Sequence, residues 1–383
     1  MTQTADHSNL KTTPFHAYHL EQDGKMVPFA GWEMPIHYGS ILDEHHQCRN
    51  SGGLFDVSHM GRLRFTGRDA CRFLDRICTR QIAGMPDGSA RYSFVCNEAG
   101  GCKDDVLVYR ISDGEYVMVC NASNREKLLS HIDNARSEYV FKMKDETEST
   151  GMVAVQGPKV IELLSRFSSE VPTLKRFRFL TKSILFAKIM ISRTGYTGED
   201  GVEIILPASL ARKAINLMLS KLGDDADAVK PCGLGARDSL RLEAAMPLYG
   251  HELSEDRNVL ETGLGFAMKL DKAEDDEKSP ASVGRFIGQD ALQEIAAKGV
   301  AQKLVGIAIE GRRAARQEMS VAHDGKGIGV VTSGCWSPTL ERSIAMAYVD
   351  ADLSAEGTNV TIDLGRATAK GTIVKLPFYS AGK

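Results

Sequence analysis

Cysteine pairs at metal-ligand or redox spacing are missing from this chain. Its eight cysteines stand at 48, 71, 78, 96, 102, 120, 232 and 335 with no CxxC among them. Neither a zinc site nor a disulfide framework is indicated, and no metal is expected. Cys96 and Cys120 lie inside apolar runs and read as small buried hydrophobes. The ten histidines show no HExxH or HxxxH spacing. His45 and His46 are adjacent and point to different sides of a helix, so they cannot chelate one ion together. A charge excess is missing too: 47 basic against 50 acidic residues leave a net charge of -3. That provides no electrostatic footprint for nucleic acid. No run approaches the ~18 apolar residues of a membrane span. The opening MTQTADHSNLKTT has neither an apolar h-region nor an Arg-rich transit pattern, so a cytoplasmic location is expected. Phosphate-cradling loops are also absent. No GxxxxGK[ST] occurs, and in Gly233-Leu234-Gly235 the third glycine of a dinucleotide fingerprint is replaced by Asp238.

What is present is an ordinary globular composition, 43% hydrophobic and 25% charged over 383 residues. That length suggests two or three domains, each able to bury a core. The most informative stretch is Asn97–Asn121, NEAGGCKDDVLVYRISDGEYVMVCN. Two adjacent carboxylates, Asp104 and Asp105, follow a glycine turn at the mouth of a strand over 106–111. Asp113-Gly114 is a two-residue hairpin signal, and a second strand over 116–120 returns to Asn121. Upstream, YSFVC (92–96) reads as a third strand. In a meander, side-chain alternation puts Asp105, Leu107 and Tyr109 on one face. Pairing about the glycine loop sets Tyr92 near Leu107 and Phe94 near Asp105, an acid against an apolar, aromatic patch. Desolvation there perturbs a carboxyl group, and a flat ring can stack. A carboxylate that merely starts a strand from an Asx-type turn explains the same local sequence.

Along the chain, residues 14–38 are punctuated by Gly, Pro and aromatics and read as an ordered loop. Ser40–Ser51 reads as a helix with an N-cap serine and an acid three residues on. A strand over 63–65, a helix over 67–78 and the meander follow, then a helix over 123–136. The pattern restarts near 151 with MVAVQGP. A helix over 159–167, strands over 188–193 and 202–206, and a helix over 209–222 come next. Glu203 alternates against Val202 and Ile204 and faces away from the core side. Residues 235–246 read as a helix with Arg237 and Arg241 on one face. Asp271–Gly284 is the most polar segment and reads as a solvated linker. From about 300, short β runs at loop spacing indicate an all-β terminal domain. The expected organisation is α+β: an N-terminal domain over 1–150 carrying the Asp104-Asp105 meander, a second α+β domain over 151–280, and a β-rich barrel-like domain over 281–383.

Seven segments carry a family resemblance: FAGWEMPIHYGS, LFDVSHMG, NEAGG-x-x-DD, SRTGYTGEDGVEI, PCGLGARDSLRLEA, LYGHEL and TSGCWSPTL. In order and spacing, from about Thr13 to Phe378, they resemble the aminomethyltransferases (T-proteins) of the glycine cleavage system. The resemblance implies three domains in a cloverleaf with folate in the central hole. It implies transfer of a methylene carbon from the aminomethyl-lipoyl arm of the carrier H-protein to tetrahydrofolate, a transient carrier partnership, and no metal. It also implies that Asp105 is the catalytic carboxylate, bonding the folate N10 region and moving protons as N5 attacks. Glu203 and Arg237 match folate-holding residues. A carboxylate accepts two N–H bonds from an aminopyrimidine edge, while Arg237 meets either a folate carboxylate or Glu203. Tyr196, Asn121 and Met60 fall at pocket positions beside Tyr92, Leu107 and Tyr109. A strict turn at Asp113-Gly114 sets Asn121 opposite Val106, away from Asp105; a bulge is needed to bring it round.

The chain departs from the family pattern at Cys102-Lys103, where apolar residues are usual. Lys103 is expected to turn to solvent; close to Asp105, its ammonium would favour the ionised acid. The ending FYSAGK lacks the arginine some members carry there, which puts a C-terminal contact to the folate glutamate in doubt. Two rivals share the architecture. One is a tetrahydrofolate-dependent demethylase. The other is a non-catalytic folate-binding protein of iron–sulfur assembly, whose KGCYxGQE-like segment is here TGYTGED.

Overall fold

The structure, a computed structural model, describes residues 9–136, 139–184, 187–272, 285–365 and 367–382. Most of the polar segment over 271–284 lies outside the described residues, as does the N-terminal octapeptide.

The meander is the centre of a five-stranded sheet in the order Ser89–Cys96, Cys102–Ser112, Glu115–Cys120, Gly61–Thr66 and Lys142–Asp145. Its alternation is the one the sequence requires. On one face Leu63, Phe65, Val106, Val108 and Met118 pack under helices Ala70–Ile77 and Arg125–Ala135. Phe73 and Phe141 stack there with ring centres 4.5 Å apart. Each such side chain, removed from water, contributes roughly 1.5–3 kcal/mol. The opposite face carries Tyr109, Val117 and Val119 and meets a second sheet.

That second sheet has six strands, in the order Phe179–Ile184, Ala187–Ser192, Gly201–Pro207, Thr150–Gln156, Gly53–Asp56 and Lys230–Pro231. Its outer face buries Leu54, Val153, Val155, Val202 and Leu206 with residues of helices Val160–Ser165 and Ala211–Leu222. The inner face sends Phe55, Met152, Ala154 and Met190 to meet Tyr109 and Val119 of the first sheet. Strand Gly53–Asp56 crosses from early in the chain into this later sheet, pairing with both Thr150–Gln156 and Lys230–Pro231.

Residues 14–38 are more regular than their punctuation suggests. They form helix His16–Glu21 and two antiparallel strands, Lys25–Phe29 and Trp32–His37. Ala30 (φ 49°) and Gly31 (φ 81°) make the tight turn between the strands. The proline and glycine that broke the periodicity are a strand residue, Pro28, and that turn. Helix Ile41–Asn50 starts as expected, with the Ser40 hydroxyl accepting from the Asp43 N–H at 3.3 Å.

From Gln302 onward the chain is a closed six-stranded barrel: Gln302–Ile309, Arg342–Asp350, Lys326–Ser337, Ser320–His323, Asn359–Asp363 and Thr368–Val374. Ile307, Val331, Ala345, Val349 and Ile362 fill it. Closure removes the free sheet edges that short strands otherwise expose. Helix Leu234–Glu243 lies against the barrel wall, with Leu242 on Ile344 and Met346. The α+β reading with an all-β C-terminal domain therefore holds. Among the described residues no helix is long and apolar enough to cross a membrane.

Candidate functional site

Asn97 builds the turn that delivers the two acids. Its Oδ1 accepts the N–H groups of Ala99 and Gly101 at 3.1 and 2.8 Å, and its backbone N–H donates to the Gly101 carbonyl at 2.9 Å. Gly100 sits at φ +83°, where a side chain is strained. A Cβ on Gly101 would collide with the Glu255 carbonyl. The register beyond the turn pairs Phe94 with Asp105 and Tyr92 with Leu107, as the alternation requires. The pairing slips by one between Val95 and Cys96, leaving Lys103 as the extra residue of a bulge.

Lys103 does not turn to solvent. Its Nζ lies 3.1 Å from Glu255 Oε2 and its side chain is only 19% exposed. Lys127 holds the other Glu255 oxygen at 3.0 Å, so two ammonium groups share one acid. A half-buried lysine cannot leave such a partner without exposing a bare charge. Cys102 is fully buried with Phe94, Leu253 and Phe286.

A second bulge decides Asn121. The hairpin pairs Ser112 with Glu115 and then shifts, so that Arg110 faces Tyr116 and Leu107 faces Val119. Ile111 is the extra residue, and Asn121 comes round to Asp105. Asn121 Nδ2 reaches Asp105 Oδ1 at 2.7 Å and Asp104 Oδ1 at 2.8 Å. The Tyr92 hydroxyl donates to Asp105 Oδ2 at 3.0 Å. Burial pushes the Asp105 carboxyl above its ordinary range, while the bonds from Tyr92 and Asn121 pull partly back. Asp104 is completely enclosed and pushed up by burial and then by the charge of Asp105. The pair thus divides into an inner acid and one half-buried acid facing the site.

Glu203 faces away from Val202 and the outer core, but not toward water. It is 5% exposed, on the inner face of its sheet. The Thr194 hydroxyl donates to its Oε2 at 2.5 Å, and burial raises its pKa. Arg237 lies over the Tyr196 ring, guanidinium carbon to ring centre 4.7 Å. Its charge acts on Glu203, and the Asp105 charge is felt at Tyr196. Arg237 Nη1 is buried without a hydrogen-bond partner. Arg241, four residues on, is committed elsewhere: Glu252 at 2.8 Å, Asp238 at 2.8 Å and Ser333 at 2.8 Å. The Tyr196 hydroxyl donates to the Pro247 carbonyl at 2.5 Å.

Met60 and Leu107 are partly buried against the cluster between the sheets. Tyr109 belongs to that cluster and has no exposed surface. It packs edge-on to Phe179, and its hydroxyl is 3.5 Å from Thr194 Oγ1. Its expected place on the wall is therefore corrected: both sheets enclose it, and it reaches Glu203 only through Thr194. Three further residues were not anticipated. Asn124 Nδ2 bonds Asp104 Oδ1 at 2.6 Å. The exposed Phe266 ring lies 6.0 Å from that of Tyr92. His59 is buried with Nδ1 unpaired, its pKa pushed down to about 4 by burial. Asn124 carried a sequence signal as the second amide of NASN at a strand end, and His59 stands within the LFDVSHMG segment, whereas Phe266 carried none.

Among the described residues, no group of three or more His, Cys, Asp or Glu side chains is placed to hold a metal ion. What the site offers is a half-buried carboxylate that binds protons readily, a second buried carboxylate, and a guanidinium with an unspent donor.

Residues 15–272 match the GCVT N-terminal domain, and residues 302–380 match the glycine cleavage T-protein C-terminal barrel domain. The chain belongs to the T-protein family. It is 41% identical to an aminomethyltransferase of Symbiobacterium thermophilum, over 97% of this chain and 98% of the relative. An aminomethyltransferase of Rubrobacter xylanophilus is 44% identical over 97% of this chain and 94% of its own length. The crystal structure of the glycine cleavage system aminomethyltransferase T from Bartonella henselae superimposes with a TM-score of 0.87 at 31% identity. That match covers 97% of this chain and 98% of the other. The family's function, aminomethyl transfer in the glycine cleavage system, is that of this chain, and neither rival reading is favoured.

Proposed function

We propose that this chain moves the methylene carbon of an aminomethyl group, held on the lipoyl arm of H-protein, to tetrahydrofolate. The products are 5,10-methylenetetrahydrofolate, ammonia and the dihydrolipoyl carrier. In the balance, the carbon leaves one nitrogen and one sulfur and gains bonds to N5 and N10. Two N–H protons are lost from the acceptor, and the departing amine and thiolate each take one up.

Asp105 is the residue for that proton traffic, and one observation carries the assignment. Its carboxylate is held by a phenol and an amide, not by a cation, and burial raises its proton affinity. A group so placed takes a proton from the attacking side and returns it to a leaving group. Glu203 and Arg237 are proposed to hold the pterin edge. Among the described residues, one Glu203 oxygen is engaged, by Thr194, and the unpaired Arg237 Nη1 supplies a donor close by. Tyr196 keeps the guanidinium in place through its ring face. Met60, Leu107 and Tyr92 supply apolar surface for the flat part of the acceptor.

Among the described residues of this end, Tyr379 is committed to the protein itself. The Tyr379 hydroxyl donates to Glu199 Oε1 at 2.7 Å, and Arg49 lies over its ring at 3.9 Å. The assay is direct: tetrahydrofolate with aminomethyl-loaded, lipoylated H-protein, with ammonia and methylenetetrahydrofolate measured. Carrier-dependent formation of both is expected; its absence rejects the proposal.

A further inference from the structure

We infer that Asp104, held by Asn124, fixes the orientation of Asn121 and through it the catalytic carboxylate; Asp104 is thus a positioning residue. The inference rests on the assignment of Asp105 just made.

Asp104 is 0% exposed and touches no open space, so it cannot meet a substrate. Its bonds all run toward Asn121 and Asn124. Oδ2 accepts the backbone N–H of Asn121 at 3.0 Å. Oδ1 accepts Asn121 Nδ2 at 2.8 Å and Asn124 Nδ2 at 2.6 Å. Asn121 Nδ2 also reaches Asp105 Oδ1 at 2.7 Å. An amide nitrogen carries two hydrogens, and here each one has a carboxylate to go to. The flipped amide would press its oxygen against Asp104 Oδ1 and Asp105 Oδ1, both of which accept a hydrogen bond here. Asn121 therefore has one orientation, and Asp104 is the partner that selects it.

The effect reaches Asp105 through its two oxygens. Oδ1 is tied by Asn121 and Oδ2 by the Tyr92 hydroxyl, so rotation of the carboxylate is blocked from both sides. Asn124, 2% exposed at the entry to helix Arg125–Ala135, is a fixed point from which the chain of bonds starts. Sequence order follows the same logic. The inner and outer acids are neighbours on one strand and so fall on opposite faces. Only a side chain at the end of the adjoining strand, where Asn121 stands, can touch both.

Asp104→Asn tests this without changing shape. Both Asp104 oxygens accept, so the new NH₂ must oppose either the Asn121 backbone N–H or its Nδ2. The expected result is a fall in kcat of ~10-fold or more, since small misplacements of a reacting group cost that much. KM for tetrahydrofolate should stay within about threefold, because Glu203 and Arg237, the residues proposed to hold the pterin, are untouched. The Asp104→Asn/Asp105→Asn double variant should be no slower than Asp105→Asn alone by more than about twofold, the signature of groups acting as one unit. Parental kcat in Asp104→Asn, or losses that multiply in the double variant, would overturn the inference.

Asn124→Ala is the milder second variant and should show the same kcat loss in smaller measure with KM unchanged. A readout independent of turnover comes from ¹⁵N-asparagine labelling. Both Asn121 side-chain amide protons should resonate downfield in the parent, and at least one should move upfield in Asp104→Asn. An unchanged Asn121 amide pair overturns the inference even if the variant is slow. If the parent shows no carrier-dependent turnover, the functional assignment fails, while the amide spectrum still decides the anchor.

Discussion

Asp105 and Glu243 are both carboxylates withdrawn from water, and their surroundings treat them oppositely. Glu243 is fully enclosed at the end of helix Leu234–Glu243. It meets Arg49 Nη2 at 2.8 Å, His45 Nε2 at 3.3 Å, the Ser337 hydroxyl at 2.5 Å and the Thr339 N–H at 3.1 Å. Burial works against the charge there, but the bond and charge of His45, with Ser337 and Arg49, hold the carboxyl down at about 2. Among the described residues, Asp105 finds Tyr92 and Asn121 as side-chain donors and no cation, so burial prevails and its pKa rises. An acid given cations becomes a permanent charge that clamps elements together. An acid given neutral donors remains able to exchange a proton. The first cluster joins helix Ile41–Asn50, the loop at Glu199, the barrel and Tyr379; the second faces the site.

The comparison breaks first, and most visibly, at Glu243. Glu243→Ala leaves His45 buried without its acid and Arg49 with Glu199 alone, which should cost about 3 kcal/mol in stability by denaturant unfolding. A loss under about 1 kcal/mol would mean that the cluster is not a clamp. Asp105→Asn comes second. Turnover should fall by ~10²-fold or more, with tetrahydrofolate binding disturbed less than turnover. Near-parental rates would return Asp105 to the status of a strand-opening turn residue.

The pH dependence of stability sharpens the contrast because the signs differ. Glu243 has a folded pKa of about 2 against an ordinary 4.5. Its contribution, roughly 3 kcal/mol, is present above pH 4.5 and lost as pH falls toward 2. Glu243→Gln should flatten that acid limb. Asp105 is raised from 3.8, so it is harmless at low pH and increasingly unfavourable as pH climbs from 3.8 through its folded value. Asp105→Asn should therefore be at least as stable as the parent at pH 8, in unfolding curves taken side by side. A variant less stable at pH 8 than at pH 4, relative to the parent, would contradict the raised pKa. The smallest effect is at Lys103. With its ammonium committed to Glu255, Lys103→Leu should give a pH–rate profile overlaying the parent's. A shifted acid limb would show that Lys103 does act on Asp105.

Much of the meander was legible from residue order. The register that pairs Tyr92 with Leu107 and Phe94 with Asp105 follows from alternation about a glycine turn, both local properties. The bulge at Ile111 was not, because Asp113-Gly114 is an equally good turn with or without it, and only that bulge brings Asn121 to Asp105. Residues 14–38 misled for the opposite reason: Pro28 and Gly31 resemble loop residues but sit in a strand and in its tight turn. Tyr109 was placed on a wall because one face was considered without the sheet that covers it.

By itself the sequence determined the period-two faces, the Asn97 turn, the separation of Asp104 from Asp105, and the family through seven ordered segments. These depend on near neighbours, or on motifs that survive as strings. Tertiary structure alone decided which cations each acid received, which buried donors stayed unpaired, and where Gly53–Asp56 would pair. Those depend on residues far apart in the chain: Arg49 meets Glu243, Lys103 meets Glu255, and Arg237 keeps a free donor beside Glu203. Burial and partner charge are properties of the packed molecule, and they separate the clamped carboxylate of Glu243 from that of Asp105, the one proposed to move protons.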